Sequence, residues 1–314
     1  MHKTWVLGVG VMLAALTSCE GEPADHDIVW ARGSPARLWR MSATEQVPTA
    51  VLADTLLPGR STNLPDWSPD GTKIAFVVGL ERGTSVFVAN AEGSGLRDLT
   101  SDALDNAQWP AWSPDGRQLA FNAGPSAGDQ DLFLMNEDGS GVRRLTEGES
   151  RDYCPRWSPD GRRIVFTSVV ADTFRLMMWD RAEGVTSEVL PWDFEAECAD
   201  WSPDGSRLAF SSTPDHDYPS LESMADWTPR MSIYILDLTT HSVTQLTDLA
   251  GTSTRPRWSN DGRRILFHST ESTGTVLNRR LVSGQAFELY SINVDGSDLK
   301  RLTRNEIYDA HPVW

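Results

Sequence analysis

Few side chains in this 314-residue sequence are of the types that carry reactions, and their spacing narrows them further. There is no Gly-x-Ser-x-Gly turn to expose a nucleophilic serine, no His-Glu-x-x-His pair and no phosphate-cradling glycine loop. Three histidines, His216, His268 and His311, fall in successive stretches of the chain and could converge on a metal, with Asp215 or Asp309 completing its shell. Such a site would make an enzyme or sensor acting on an acidic glycan. No short ligand spacing accompanies these histidines, so isolated loop histidines are the favoured reading, and neither a metal nor a catalytic residue is expected. Cys154 and Cys198 lie 44 residues apart and are open to two readings, a disulfide or two buried thiols. Trp109, Tyr153 and Arg255 suit binding rather than bond-making, because such side chains anchor interfaces.

The elements that must position these residues come from a repeat. WSPDGTKIAFV begins at Trp67, WSPDGRQLAFN at Trp112, WSPDGRRIVFT at Trp157, WSPDGSRLAFS at Trp201 and WSNDGRRILFH at Trp258, and a sixth such Trp is Trp314. Spacings of 45, 45, 44, 57 and 56 residues are those of a four-stranded blade and too long for an ankyrin or leucine-rich unit. In Ser-Pro-Asp-Gly the proline presets φ and the glycine supplies a left-handed residue, which makes a turn between two strands. The unbroken apolar runs that follow, such as Ile74-Ala75-Phe76 and Ile164-Val165-Phe166, fit strands buried on both faces between neighbouring blades. The first unit, starting at Ile28-Val29-Trp30-Ala31, has no such turn before it, and Ala310-His311-Pro312-Val313-Trp314 supplies the missing strand from the other end. The expectation is an all-β fold over residues 28–314, a six-bladed β-propeller of four-stranded antiparallel blades, closed by the C-terminal strand completing blade one.

On a uniform scaffold, variation marks function. Three residues before each repeated Trp the series reads Leu64, Trp109, Cys154, Cys198, Arg255 and His311, which should ring one mouth of the central channel. The repeated tryptophans themselves read as packing between blades. Two long excursions should lie on the same face: Phe210 to Tyr234, with Asp215, Asp217, Tyr218, Trp227 and Arg230, and Phe267 to Tyr290, with Arg279 and Arg280. The candidate partner-binding set is therefore Trp109, Tyr153, Arg255, His311, Asp309, Trp227 and Arg230.

Ahead of the repeats, Lys3 and the apolar run from Trp5 to Leu16 form an export signal too short to span a bilayer. Leu16-Thr17-Ser18-Cys19 matches the lipobox of bacterial lipoproteins, which makes residues 1–18 a signal peptide, Cys19 the lipidated N-terminus and residues 19–27 a tether. Losing residues 1–18 removes Lys3 and no acid, so the formal charge moves from −16 to −17. That charge disfavours nucleic acid and anionic lipid headgroups. The expected protein is exported and lipid-anchored, periplasm-facing or at the cell surface, with inner or outer membrane left open, and monomeric. Its membrane contact is the lipid alone and its partner an envelope protein or peptide. No cofactor is expected, although the acidic charge would tolerate a channel-bound divalent cation such as calcium.

The Trp-Ser-Pro-Asp-Gly units resemble the propeller repeats of the TolB family, periplasmic components of the Tol-Pal envelope system, and more loosely WD-type repeats. The resemblance covers residues 28–314 and implies a propeller fold and an envelope role. Members of the TolB family carry an α/β domain before the propeller, and the few residues between Cys19 and the first expected strand have no room for one. The same repeat also occurs in peptidase and lyase propellers. A peptidase of the propeller-plus-hydrolase kind is not expected, because the repeats leave no length for a hydrolase domain.

Overall fold

The computed structural model describes residues 27–42, 47–53, 55–101, 104–126, 128–191, 194–213, 231–249, 251–270, 287–304 and 307–314. Cys19, His216, Trp227, Arg230, Arg279 and Arg280 lie outside the described residues.

Each repeat folds as a four-strand meander whose first strand ends at the repeated Trp. The opening unit has β1 (Ile28–Arg32), β2 (Arg37–Met41) and β3 (Thr49–Ala50). Next come β4 (Thr62–Trp67), β5 (Lys73–Gly79), β6 (Thr84–Asn90) and β7 (Arg97–Asp98), then β8 (Gln108–Trp112), β9 (Gln118–Ser126), β10 (Asp129–Asn136) and β11 (Arg143–Arg144). The central units are β12 (Arg151–Trp157), β13 (Arg163–Val170), β14 (Thr173–Asp180) and β15 (Thr186–Glu188), followed by β16 (Glu197–Trp201), β17 (Arg207–Ser212), β18 (Ser232–Asp237) and β19 (Val243–Gln245). The last are β20 (Ser253–Trp258), β21 (Arg264–Ser269), β22 (Glu288–Asn293) and β23 (Lys300–Arg301), and finally β24 (Asp309–Val313). Among the described residues there is no helix, and the strands form four four-stranded sheets and one eight-stranded sheet. In the eight-stranded sheet, β8–β11 and β12–β15 are joined by one parallel bridge, Gln130 to Arg151. The architecture is an all-β propeller.

Strand β24 pairs antiparallel with β1, Val29 opposite Val313 and Arg32 opposite Asp309, so the last strand becomes the innermost strand of the first sheet. A buried clasp holds it: both Asp309 carboxylate oxygens accept from Arg32, at 2.6 and 3.0 Å, and Oδ1 also accepts from the Trp30 indole at 2.9 Å.

The turns work as their residues dictate. In the second unit Ser68 Oγ donates to Asp70 at 2.6 Å and accepts from the Lys73 N–H at 2.9 Å, while Gly71 takes φ 67°. The same Ser–Asp pairing recurs at Ser113, Ser158, Ser202 and Ser259. These bonds hold the turn carboxylates ionised, with Asp70 and Asp204 lowered to about 2. The turn aspartates are structural.

The second strand of each unit is buried on both faces, and Trp30, Phe76, Phe121, Phe166, Phe210 and Phe267 occupy equivalent positions in it. Apolar clusters fill the seams between successive units: Val313 and Val29 meet Ile74 and Phe76, Val88 meets Trp112 and Phe121, and Leu134 meets Trp157 and Phe166. Leu176 meets Trp201 and Phe210, Ile233 meets Trp258 and Phe267, and Leu266 and Leu289 return to Ile28 and Trp30. Of the repeated tryptophans, Trp112, Trp157, Trp201 and Trp258 are thus core residues, while Trp67 and Trp314 pack half-buried at the edge of it. Arg163 and Arg207 cap the Trp201 and Trp258 rings of the following units, at 5.0 and 4.7 Å. The outermost strands are two or three residues long and mostly exposed, which denies a neighbouring chain an edge to pair with.

Candidate functional site

The residue three before each repeated Trp sits in a bulge. The ladder between first and second strand slips there in every unit, for example between Gln108 and Ala111 and between Thr254 and Arg257. Leu64, Trp109, Cys154, Cys198, Arg255 and His311 all take left-handed backbone, φ 50–58°. A side chain costs about 1–2 kcal/mol in that region, so six repetitions mark a built feature. Proline follows in five of the six, which is cheap because the innermost strand edge faces the axis and has no ladder bond to lose.

Three of these bulges are pinned by the preceding unit. The N–H of Cys198 donates to Thr167 Oγ1 at 2.9 Å, that of Arg255 to Ser211 Oγ at 2.9 Å, and that of His311 to His268 Nδ1 at 3.0 Å. His268 therefore does what a hydroxyl does elsewhere in the ring, from the position after the buried phenylalanine.

The mouth brings most of the expected residues together. Arg255 lies over the Trp109 ring with its Cζ 4.6 Å from the centroid, and Trp109 also meets Tyr153 at 5.9 Å and His311 at 6.0 Å. The Arg255 guanidinium has no hydrogen-bond or ion-pair partner among the described residues. Tyr153 donates its hydroxyl to Glu197 at 2.6 Å, and burial followed by the Glu197 charge pushes its pKa well up. Cys154 and Cys198 pack with Tyr153 and Trp109 and are free thiols in this structure. Burial first, then the hydrogen bond its S–H donates to Cys154, pushes the Cys198 thiol well above its usual range.

His268 and His311 face each other at 5.7 Å, and both are held neutral, by burial and then by the Arg255 charge. Among the described residues no three His, Cys, Asp or Glu side chains are grouped to hold a metal. Asp309 departs from its expected role. Its carboxylate is fully buried in the clasp with Arg32 and Trp30, so it fastens β24 instead of facing a partner.

Sequence reasoning missed Phe287 and Tyr308, which extend the aromatic surface: Phe287 packs tilted against His268 at 4.6 Å and edge-on against Tyr308 at 5.7 Å, and Tyr308 reaches His311 at 6.5 Å. It also missed a second axial ring, formed by the residue directly before each repeated Trp: Asp66, Ala111, Arg156, Asp200, Arg257 and Val313. Reading the variable series two places further along would have found it. Arg156 pairs with Asp66 at 3.3 Å and Arg257 with Asp200 at 3.6 Å. Asp66 accepts from the Trp112 N–H at 2.9 Å and Asp200 from the Trp258 N–H at 2.8 Å, so each ties its strand to the next unit. Burial, opposed by Arg156, pushes Asp200 up to about 7. Beyond this ring the channel opens into a second funnel of about 600 Å³, lined by Trp67, Trp258 and Trp314 together with the two aspartates.

Turn chemistry, propeller seams and a variable axial ring all agree with one comparison: residues 55–219, just over half of the chain, match the TolB beta propeller domain. The chain belongs to the TolB β-propeller family. TolB from Acinetobacter baumannii superposes with a TM-score of 0.73 at 21% identity, over 94% of this chain and 68% of that one. A putative TolB from Agrobacterium tumefaciens gives 0.63 at 18% identity, over 89% of each chain. A chain of a nidogen/laminin complex gives 0.65 at 10% identity, over 91% of this chain and 97% of that one. At these identities the likeness is one of fold. No curated protein sequence matches the chain.

Proposed function

We propose that this TolB-family propeller is a non-enzymatic, lipid-anchored envelope protein that binds a protein or peptide partner at the mouth ringed by Trp109, Tyr153, Arg255 and His311. The observation that carries it is the unpaired Arg255 guanidinium stacked on the part-buried Trp109, an anchor of the type that dominates binding energy in interfaces. Family membership supports an envelope role, and one structural neighbour is itself from a complex between two proteins. Six blades are the reading of the sheets that fits the six apolar seams and six bulges, with the eight-stranded sheet as two blades joined by a single bridge. Lipidation at Cys19 and export rest on the sequence at residues 1–19.

The metal-dependent glycan reading is less well supported, because Nδ1 of His268 is already occupied by the His311 N–H. The test is recovery of crosslinked partner from detergent-solubilised envelope. Trp109→Ala and Arg255→Glu should each lower recovery at least about tenfold while the melting temperature holds. Unchanged recovery from both variants would contradict the proposal.

A further inference from the structure

Behind the mouth, between the two axial rings, lies a small cavity lined by Leu64, Trp109, Arg156, Arg255, Arg257 and His311, with three prolines. It has room for about one water-sized sphere. Its lining contains three guanidiniums and no carboxylate. Nε of Arg156, Nε of Arg257 and Nδ1 of His311 are buried with no hydrogen-bond partner among the described residues. Arg156 is itself only 7% exposed. Asp66 and Asp200 balance Arg156 and Arg257 from the far side, whereas Arg255 has no ion-pair partner among the described residues. Buried N–H donors without acceptors are costly, and a charged acceptor satisfies them with short, strong bonds. A divalent cation on the axis would instead face three positive groups.

We propose that this axial cavity binds one small monovalent anion, either a free halide or a single carboxylate reaching in through the Trp109 mouth. Its size admits a halide and excludes sulfate. The neutral His311 supplies a directional contact at the cavity wall, and the Trp109–Arg255 stack borders the cavity on the side toward the mouth. The halide arm involves no partner, so the site stands or falls apart from the binding role proposed above.

The test uses the full chain at constant ionic strength with gluconate replaced stepwise by chloride or bromide. The melting temperature should rise and saturate with either halide, and not with sulfate. Bromide-soaked crystals should show one anomalous peak on the axis within hydrogen-bond reach of Arg156 and Arg257. Arg255→Gln should weaken the halide effect at least about tenfold, whereas Arg255→Lys, which keeps the charge if the first variant fails to fold, should weaken it less. A short C-terminally amidated peptide with one glutamate that displaces bromide, where its amidated glutamine twin does not, assigns the site to a partner's carboxylate; bromide that stays bound assigns it to free halide. Melting that rises without saturation in every salt, or an axial density with no anomalous signal, which is a water only, overturns the proposal.

Discussion

The two axial rings occupy neighbouring positions on the same six strands, yet they are built to different ends. In the ring directly before each Trp, opposite charges face each other: Arg156 with Asp66 and Arg257 with Asp200, each aspartate also accepting a backbone N–H of the next unit. In the ring three before each Trp, the single full charge, Arg255, lies on an indole with no ion pair among the described residues, the Glu197 carboxylate acting on it from beyond ion-pair distance, beside two thiols and a neutral imidazole. Charge that is balanced within the fold fastens sheets together, and charge left unbalanced at a mouth is available to something else. The repeat supplies identical backbone at both levels, so side-chain identity alone separates support from recognition.

The sharpest way to break this contrast is to remove a charge from the supporting ring. Arg156→Ala leaves the buried Asp66 without its ion-pair partner and beside Asp200, which keeps Arg257, and should cost about 3–5 kcal/mol in denaturant unfolding. Arg255→Gln removes an equal charge from the mouth and should change stability by under about 1 kcal/mol, because no ion pair among the described residues is lost. Equal costs for the two variants would erase the distinction.

The rings should also tilt stability against pH in opposite senses. The folded-state pKa of Asp200 is raised from 3.8 to about 7, so its contribution is full at acid pH and is lost as pH rises through 7. The pKa values of His268 and His311 are depressed, so the unfolded chain takes up protons that the folded one refuses, and stability falls as pH drops below about 6.5. Between about pH 4 and 6.5 the two slopes oppose each other. Asp200→Asn should therefore steepen the loss of stability on acidification, and His311→Gln should lessen it, by roughly 1–3 kcal/mol over that range in thermal or denaturant melts. Unchanged slopes in both would contradict the assignment of these groups.

The smallest effect concerns the thiols. Burial keeps the Cys198 thiol protonated, so in native protein Cys154 and Cys198 should take up little alkylating reagent at pH 8 over minutes, and one equivalent each once unfolded, read residue by residue by peptide mapping. No uptake after unfolding without reductant, reversed by reductant, would mean that the pair had been oxidised to a disulfide.

The legible part of the fold was the part written locally. Ser-Pro-Asp-Gly announces its own turn, and the five-residue apolar run after it announces a strand buried on both faces, as Ile74–Val78 is. The mouth ring was legible because its members share one offset from a repeated Trp. What stayed hidden depends on partners far apart in sequence. Asp309 looks like a rim carboxylate until Arg32 and Trp30 arrive from the opposite end of the chain. Asp66 and Arg156 meet across the axis from non-adjacent units, a pairing that no spacing rule encodes. His268 looks like a ligand until it is set beside Thr167 and Ser211, which hold the same backbone bond.

One comparison bears on the central claim most directly: a photo-crosslinking residue placed at Tyr308, on the Trp109 mouth, or at Asn260, in the opposite funnel, in the full chain within its native envelope. The account predicts a discrete adduct with an envelope protein or peptide from position 308 and none from position 260. An adduct from 260 alone, or none from either position, would contradict it.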